Sequence, residues 1–320
     1  MAGNASFDRL ITATMEKYIP TLEDNVFTSK PLSFAINTFG NVKTLDGGTQ
    51  IDVRLMYAET GNQGSYSKGD TFLTDEDEGT TVAQYGWKQY YATVKLSEID
   101  IAKNSGTSAV GRIVEEELER AELSIAESFN EMFFSDGSGN TSKEFNGLQN
   151  LVANTGALGG IAVATNAWWG SDVTATSSSI TLARLRTPYL TVSEGNDFPT
   201  NIFTTQTIYG SIDGLFTARQ RFVDPTMANQ GFETIMFHNA PISFDRNCTD
   251  GRVYLLNLKY VTLYKLGSNW FRMSDWLEPA NQDVRIKKMV SYGELAISNR
   301  KRQGLMTSVS DTGEAASGAF

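Results

Sequence analysis

The single histidine, His238, is the one side chain in this sequence that could serve a serine nucleophile as a conventional base. It sits in Phe237-His238-Asn239-Ala240-Pro241, and no Gly-x-Ser-x-Gly elbow occurs anywhere, so it reads as a turn residue capping a strand. The single cysteine, Cys248, cannot form an intrachain disulfide, and with one histidine there is no material for a zinc site of Cys and His ligands. Cys248 reads as a free, inert thiol. No Gly-rich stretch, including 61–69, is followed by Lys-Ser or Lys-Thr at the start of a helix, so phosphate-cradling loops for nucleotide hydrolysis are missing. Asp136-Gly-Ser138-Gly-Asn140 opens like a calcium loop, but Thr141 stands where that loop needs glycine and no glutamate falls at its closing position. A helix stop followed by turns is expected there.

Acidic and basic runs carry no sharper message. Asp75, Glu76, Asp77 and Glu78 form a solvated run of the kind that keeps an exposed edge from mispairing. Paired acids for glycoside cleavage are a matter of spatial separation, and nothing selects two of the 37 acids. Arg285, Lys287 and Lys288, with Arg300-Lys301-Arg302, are the densest positive sites and are expected to be strand-surface charge rather than a phosphate-contacting patch. Trp168-Trp169, in a small-residue stretch, reads as an anchor of its loop to a neighbouring surface rather than a ligand platform. No catalytic, cofactor-binding or metal-binding residues are assigned, and no cofactor is expected.

Composition narrows the class. The 320 residues carry a net charge of −10 at a pI near 4.8, with 11% aromatic residues, which argues for packed structure and against tight general binding to free nucleic acid. Met1–Ser6 lack the pattern of a signal peptide, and no apolar run approaches the ~20 residues that span a bilayer. A protein made in the cytoplasm without membrane attachment is expected. The length suggests about two domains.

The elements that must position these residues follow from periodicity. Phe7–Ile19 has helical spacing ended by Pro20; the stretch from there to Gly40, with Pro31, Leu32, Phe34 and Ile36, is expected to be an extended arm. Ile51–Tyr57 alternates as a strand, and Tyr85–Leu96 alternates as its partner, leaving Ala58–Thr81 as the tip of a long hairpin. Two strands are marginal alone, so the pair needs a surface to lie on, and its apolar face is expected to be covered by sister copies and not by its own subunit. Ala109–Phe134 carries the strongest helical period, through Ile113, Leu118, Ile125, Phe129, Met132 and Phe133, with Gly137 placed to stop it. Loops are expected over Ala153–Ser179 and helices over Leu182–Ser193, strained by Pro188, and Gln206–Phe222. Phe232–Phe244, Val253–Tyr264 and Val284–Ser298 read as strands. The class is mixed α+β without an internal repeat.

This order of elements resembles the major capsid proteins of tailed phages, with the Hong Kong 97-like fold. The resemblance rests on Pro199-Thr-Asn-Ile-Phe-Thr-Thr-Gln-Thr-Ile-Tyr209, on Phe232 to Asp245 followed by Gly251-Arg-Val-Tyr-Leu-Leu-Asn257, on Gly159-Gly-Ile161 with Asn166-Ala-Trp-Trp169, and on Tyr292-Gly-Glu-Leu-Ala-Ile-Ser-Asn299. It implies an N-terminal arm (1–46), an E-loop hairpin (47–100), a peripheral domain (101–154 and 251–320, spine helix 109–135) and an axial domain (155–250). It further implies a subunit without enzymatic role that self-assembles into hexamers and pentamers of an icosahedral phage head enclosing double-stranded DNA. The virion head and, during assembly, the host bacterial cytoplasm are its implied locations. Portal, scaffolding and decoration proteins are the further partners, and packaged DNA is contacted only non-specifically. Some relatives crosslink an E-loop lysine to an asparagine with a glutamate as catalyst; Lys68 lies near the tip, but no Asn and Glu match, and that chemistry is not carried over. Many relatives open with a scaffolding segment that this chain lacks, so a separate scaffold or a processed start is expected. The alternatives are an encapsulin-like compartment shell and a monomeric acidic α+β hydrolase or carbohydrate-binding protein.

Overall fold

A computed structural model describes residues 30–99, 107–216 and 234–310. The helix expected at Phe7–Ile19 lies outside them, as does the end of the one expected at Gln206–Phe222.

The described chain opens on a helix, α1 (Pro31–Phe39), where the sequence predicts an extended arm. Pro31 stands in the first turn, where its missing N–H costs no intrahelical bond. Leu32, Ala35 and Ile36, spaced i, i+3 and i+4, bury one side. Nine residues beginning on a proline hold too few turns for that period to stand out. Polar pairs seat α1 on the long helix α2 (Thr107–Phe134): Lys30 pairs with Glu127, and Ser33 Oγ donates to Asn130 Oδ1 at 3.2 Å. Asn130 Nδ2 in turn donates to Asp245 Oδ1 at 2.8 Å.

Four strands lie between the helices: β1 (Asn41–Leu45), β2 (Ile51–Met56), β3 (Thr80–Tyr85) and β4 (Lys88–Ser97). The hairpin partner of β2 is β3, with Ile51 opposite Tyr85 and Met56 opposite Thr80, and not the expected run Tyr85–Leu96. That run is broken at Gly86-Trp87, and from Lys88 it continues as a separate strand, β4, which joins another sheet.

At ~1.5 Å per residue α2 is about 40 Å long. Its buried residues Ile125, Phe129, Met132 and Phe133 keep the period read from the sequence, while the side chain of Leu118 lies outside the described part. Phe129 is the centre of an aromatic cluster, with the rings of Tyr90, Phe145, Trp270 and Phe271 at 5.3, 5.3, 5.6 and 5.7 Å. After two short strand pieces, β5 (Ala157–Leu158) and β6 (Ile161–Ala162), come β7 (Asp172–Ala175), α3 (Leu182–Val192), β8 (Asn201–Thr204) and α4 (Gln206–Leu215). The remainder is β9 (Thr234–Phe237), β10 (Ala240–Phe244), β11 (Val253–Leu256), β12 (Val261–Leu266), β13 (Arg272–Met273), β14 (Val284–Ile297) and β15 (Gly304–Thr307).

These strands form two principal sheets. In the five-stranded one, β14 pairs antiparallel with β4 along Val284–Gly293, and also with β12 and β13, while β1 lies parallel on β12. The six-stranded sheet has the order β7-β15-β11-β8-β10-β9. Its central strands β8 and β11 are buried at every position, so both faces must be covered. Ile202, Val253, Leu255 and Met306 face a cluster with Leu185 and Tyr189 of α3 and Ile208 and Ile212 of α4. Phe203, Tyr254, Leu256 and Leu305 face the larger core that holds α2 and the five-stranded sheet.

Residues 298–303 connect the sheets. There the fully buried Arg300 donates from Nε to Leu151 O at 2.9 Å and from Nη2 to Asn150 O and Ala153 O at 3.0 and 2.8 Å. Gln303 Oε1 accepts from Asn257 N at 2.9 Å, and its Nε2 donates to Asn257 O at 3.1 Å.

Candidate assembly surface

The β2–β3 ribbon departs most from a self-contained subunit. Its root is anchored. Ile51, Leu55, Ala83 and Tyr85 point into the subunit's own core, Gln84 N donates to Gly159 O at 2.9 Å, and Trp87 Nε1 donates to Gly48 O at 2.9 Å. Gly159 has φ +62°, and a Cβ there would stand 2.8 Å from that of Ala83, so only glycine lets the ribbon approach so closely. The Tyr57 ring stacks on Trp168, centroids 5.2 Å apart. The apolar face of the strands is thus covered by the subunit itself, which corrects the expectation that sister copies must cover it.

The tip stays uncovered. Residues 57–79 contain no strand, and Tyr66, Phe72 and Leu73 are 70, 63 and 66% exposed. Tyr66 and Phe72 meet edge to face at 5.0 Å. Ser67 to Asp70 make a turn closed by Asp70 N donating to Ser67 O at 3.1 Å, with Lys68 at the corner and Gly69 taking the φ of +97°. Asp75, Glu76, Asp77 and Glu78 are all exposed, and Asp77 Oδ2 accepts from Gly61 N. Exposed aromatic residues grouped on a projecting loop mark a contact surface.

The other candidates are scattered. Asp136 Oδ1 accepts from Ser138 Oγ at 2.7 Å and Ser138 N at 2.9 Å, bonds that hold its carboxyl below the usual range, and turns follow as predicted. His238 is an exposed corner between β9 and β10 at φ +51°, its ring stacked 5.0 Å from Tyr189. Trp169 is buried and donates from Nε1 to Leu158 O at 3.1 Å; with Trp168 on Tyr57, the tryptophan pair anchors both its own loop and the ribbon root. Cys248 is buried, and burial pushes its thiol far up. The basic run does not converge: Arg300 is internal, Arg285 pairs with Glu98, and Arg302 pairs with Glu194.

Two buried acids escaped sequence reasoning. Glu294 accepts on Oε1 from Asn146 N at 2.8 Å and from Leu295 N at 2.9 Å, and burial pushes its carboxyl up to about 8. Its signal was a charged residue inside the apolar half of β14. Asp245 accepts from Asn130 Nδ2 and, at 3.0 Å, from Asn247 N; burial raises it too. Both are enclosed by structural partners rather than opened to a substrate. Among the described residues no three or more His, Cys, Asp and Glu side chains are grouped to hold a metal, and no described helix is long and apolar enough to cross a membrane.

Comparison with known proteins gives this geometry its context. Residues 91–308 match the family model of the SU10 major capsid protein. No curated protein matches the chain. Among solved structures, it is similar to the capsid asymmetric unit of cyanophage A-1(L), with TM-score 0.67 and 15% identity over 84% of this chain and 90% of that one. It is also similar to the capsid of an empty GTA particle, at TM-score 0.62 and 12% identity over 86% and 90% of the two chains. The holo-SrpI encapsulin of Synechococcus elongatus PCC 7942 follows at TM-score 0.57 and 10% identity over 87% and 88%. The backbone is therefore the Hong Kong 97-like fold, shared by phage coats and an encapsulin, and the sequence match decides between them. A subunit anchored at the ribbon root but left open at its tip is intelligible as one tile of a shell, and this chain belongs to the SU10 major capsid protein family.

Proposed function

We propose that this coat protein closes into an icosahedral head of hexamers and pentamers around double-stranded DNA, without performing catalysis. The observation that carries this beyond family membership is the exposed hairpin tip with Tyr66, Phe72 and Leu73, a surface that subunit–subunit contact would bury. In this reading the β2–β3 ribbon acts as the extended loop, α2 with the five-stranded sheet as the peripheral domain and the six-stranded sheet as the axial domain, so that β1 and β4 go with the peripheral domain and β11 and β15 with the axial one, across the bounds 1–46, 47–100, 101–154 with 251–320 and 155–250 expected from the sequence. Assembly in the host cytoplasm would engage portal, scaffolding and decoration proteins. The net charge of −10 per copy disfavours tight adhesion of packaged DNA to the wall.

The test is assembly of the purified protein. Capsomers or shells by size exclusion and negative-stain microscopy support the proposal; elution near 35 kDa as a stable monomer overturns it. Nuclease-protected DNA inside particles from phage-infected cells distinguishes a head from an enzyme-filled compartment. Replacing residues 58–78 by a short turn should leave the body folded and abolish closed shells. Intact shells from that deletion would remove the tip from the account.

A further inference from the structure

We infer that the groove along the solvent-facing side of α3 is the seat of this chain's own residues 311–320. The contact is made within one subunit and is independent of shell formation.

The helix buries one side and leaves the other open. Leu185 and Tyr189 belong to the core cluster on the six-stranded sheet. Leu182, Arg186 and Leu190, spaced i, i+4 and i+8, form a row on the solvent side, where Leu182 is 37% and Leu190 55% exposed. Phe216, just after α4, and Phe237 with His238 at the corner between β9 and β10 make the facing wall, the two phenyl rings meeting edge to face at 6.5 Å. Between them runs an open groove of about 710 Å³. Its lining is largely apolar, and Thr187 Oγ1 is already engaged, donating to Ala183 O at 3.1 Å. Arg186 is the one permanently charged residue of that lining, and among the described residues it has no carboxylate partner. Apolar side chains open to solvent around a single unanswered cation mark a contact surface for an acidic, partly apolar segment.

The chain itself delivers such a segment to this place. Ser310 bridges Ser179 in parallel, and its N donates to Ser178 O at 3.1 Å. Two residues beyond Ser179 stands Thr181, whose Oγ1 accepts from Arg184 N at 3.2 Å and opens α3. A chain leaving Ser310 therefore starts beside the first turn of α3. The ten residues Asp311 to Phe320 follow and lie outside the described residues. Extended, they span up to ~33–36 Å, whereas the 11 residues of α3 are about 16 Å long. The whole groove is within their reach. They carry Asp311 and Glu314 and no cation, with Ala315, Ala316, Ala319 and Phe320 as apolar groups. Arg184, whose Nη1 donates to Ser179 O at 2.6 Å, and Arg186 place two cations along the path. The internal stretch 217–233 fits less well, because Arg219 and Arg221 balance Asp224 and Glu233 and leave no net charge to answer Arg186.

Photo-crosslinking on full-length protein tests this. A benzophenone amino acid in place of Leu190 should form its main adduct, identified by mass spectrometry after digestion, with residues 311–320. In a mixture of isotopically heavy and light copies, that adduct should join heavy to heavy and light to light only. Arg186→Glu should lower its yield about fivefold, as expected when a surface attraction becomes a repulsion. Arg186→Glu with Glu314→Arg should recover the yield to within about twofold of the unreversed protein. Arg186 and Leu190 are exposed, so the melting profile of the subunit should not change. An adduct with 217–233, one that joins heavy to light copies, or none with 311–320 overturns the inference and leaves the shell-forming reading intact. So does an adduct whose yield ignores the reversal at Arg186, or is lost there and not recovered by Glu314→Arg.

Discussion

Tyr85 and Ile297, 212 residues apart in the chain, are joined by a hydrogen bond in which the buried Tyr85 hydroxyl donates to the Ile297 carbonyl at 2.9 Å. It ties the last residue of β3 to the last residue of β14, so the ribbon root is fixed to the longest strand of the body. Burial pushes the phenol well above its ordinary value, keeping the hydroxyl a donor through the accessible pH range. Tyr85→Phe leaves that buried carbonyl without its partner and should destabilise the subunit by about 1–3 kcal/mol. Denaturant unfolding measures it; a midpoint unchanged from wild type would mean the bond contributes nothing.

Gly159→Ala should be harmful for a different reason. The added methyl meets Ala83 at 2.8 Å in a backbone with φ +62°, so both the contact and the conformation resist it. A cost of about 1–3 kcal/mol is expected, accompanied by faster proteolysis at the ribbon root, since the Gln84–Gly159 bond must lengthen. Limited digestion that matches wild type would count against this close approach.

Phe129→Ala opens a hole where four aromatic rings converge and should cost about 3–5 kcal/mol. Its phenyl group is fully buried between α2 and the five-stranded sheet. Thermal unfolding reports the loss directly. A melting temperature within error of wild type would show that the cluster is not the structural centre of the body.

Glu294 makes stability depend on pH. Its carboxyl titrates near 8 in the folded protein, against an ordinary value of 4.5. Below about pH 4.5 the group is protonated in both folded and unfolded chains, and its contribution is complete. Between 4.5 and 8 the unfolded chain releases a proton that the folded one keeps, so stability falls as pH rises, and above 8 the contribution is gone. Glu294→Gln keeps an oxygen for Asn146 N and Leu295 N without the ionisable proton. Urea midpoints between pH 5 and 9 should therefore slope less for the variant, which gains over wild type at the alkaline end by an amount on the order of a few kcal/mol. Parallel slopes for the two proteins would show that Glu294 does not titrate with folding.

Much of this architecture was legible because it depends on period. The spacing of Ile125, Phe129, Met132 and Phe133 announces α2, and the alternation of Ile51, Val53 and Leu55 announces β2. What stayed hidden depends on partners distant in sequence. The seam between β3 and β4 is invisible as local pattern, because both halves alternate and only β14 distinguishes them. Helix α1 was missed because its buried face is defined by α2 and by Asn130, a polar residue with no apolar period of its own. The walls of the groove beside α3 come from three separate segments, and only the packed six-stranded sheet gathers them.

The short link 298–303 has a mechanical implication. Arg300 is held by three carbonyls of residues 150–153, and Gln303 grips Asn257 from both ends of its amide, so the link is tied to the body by five buried polar contacts. The link is in effect a brace where one sheet hands the chain to the other. Where copies must meet at unequal angles to curve a container, a subunit braced there is expected to leave the bending to the seams between molecules.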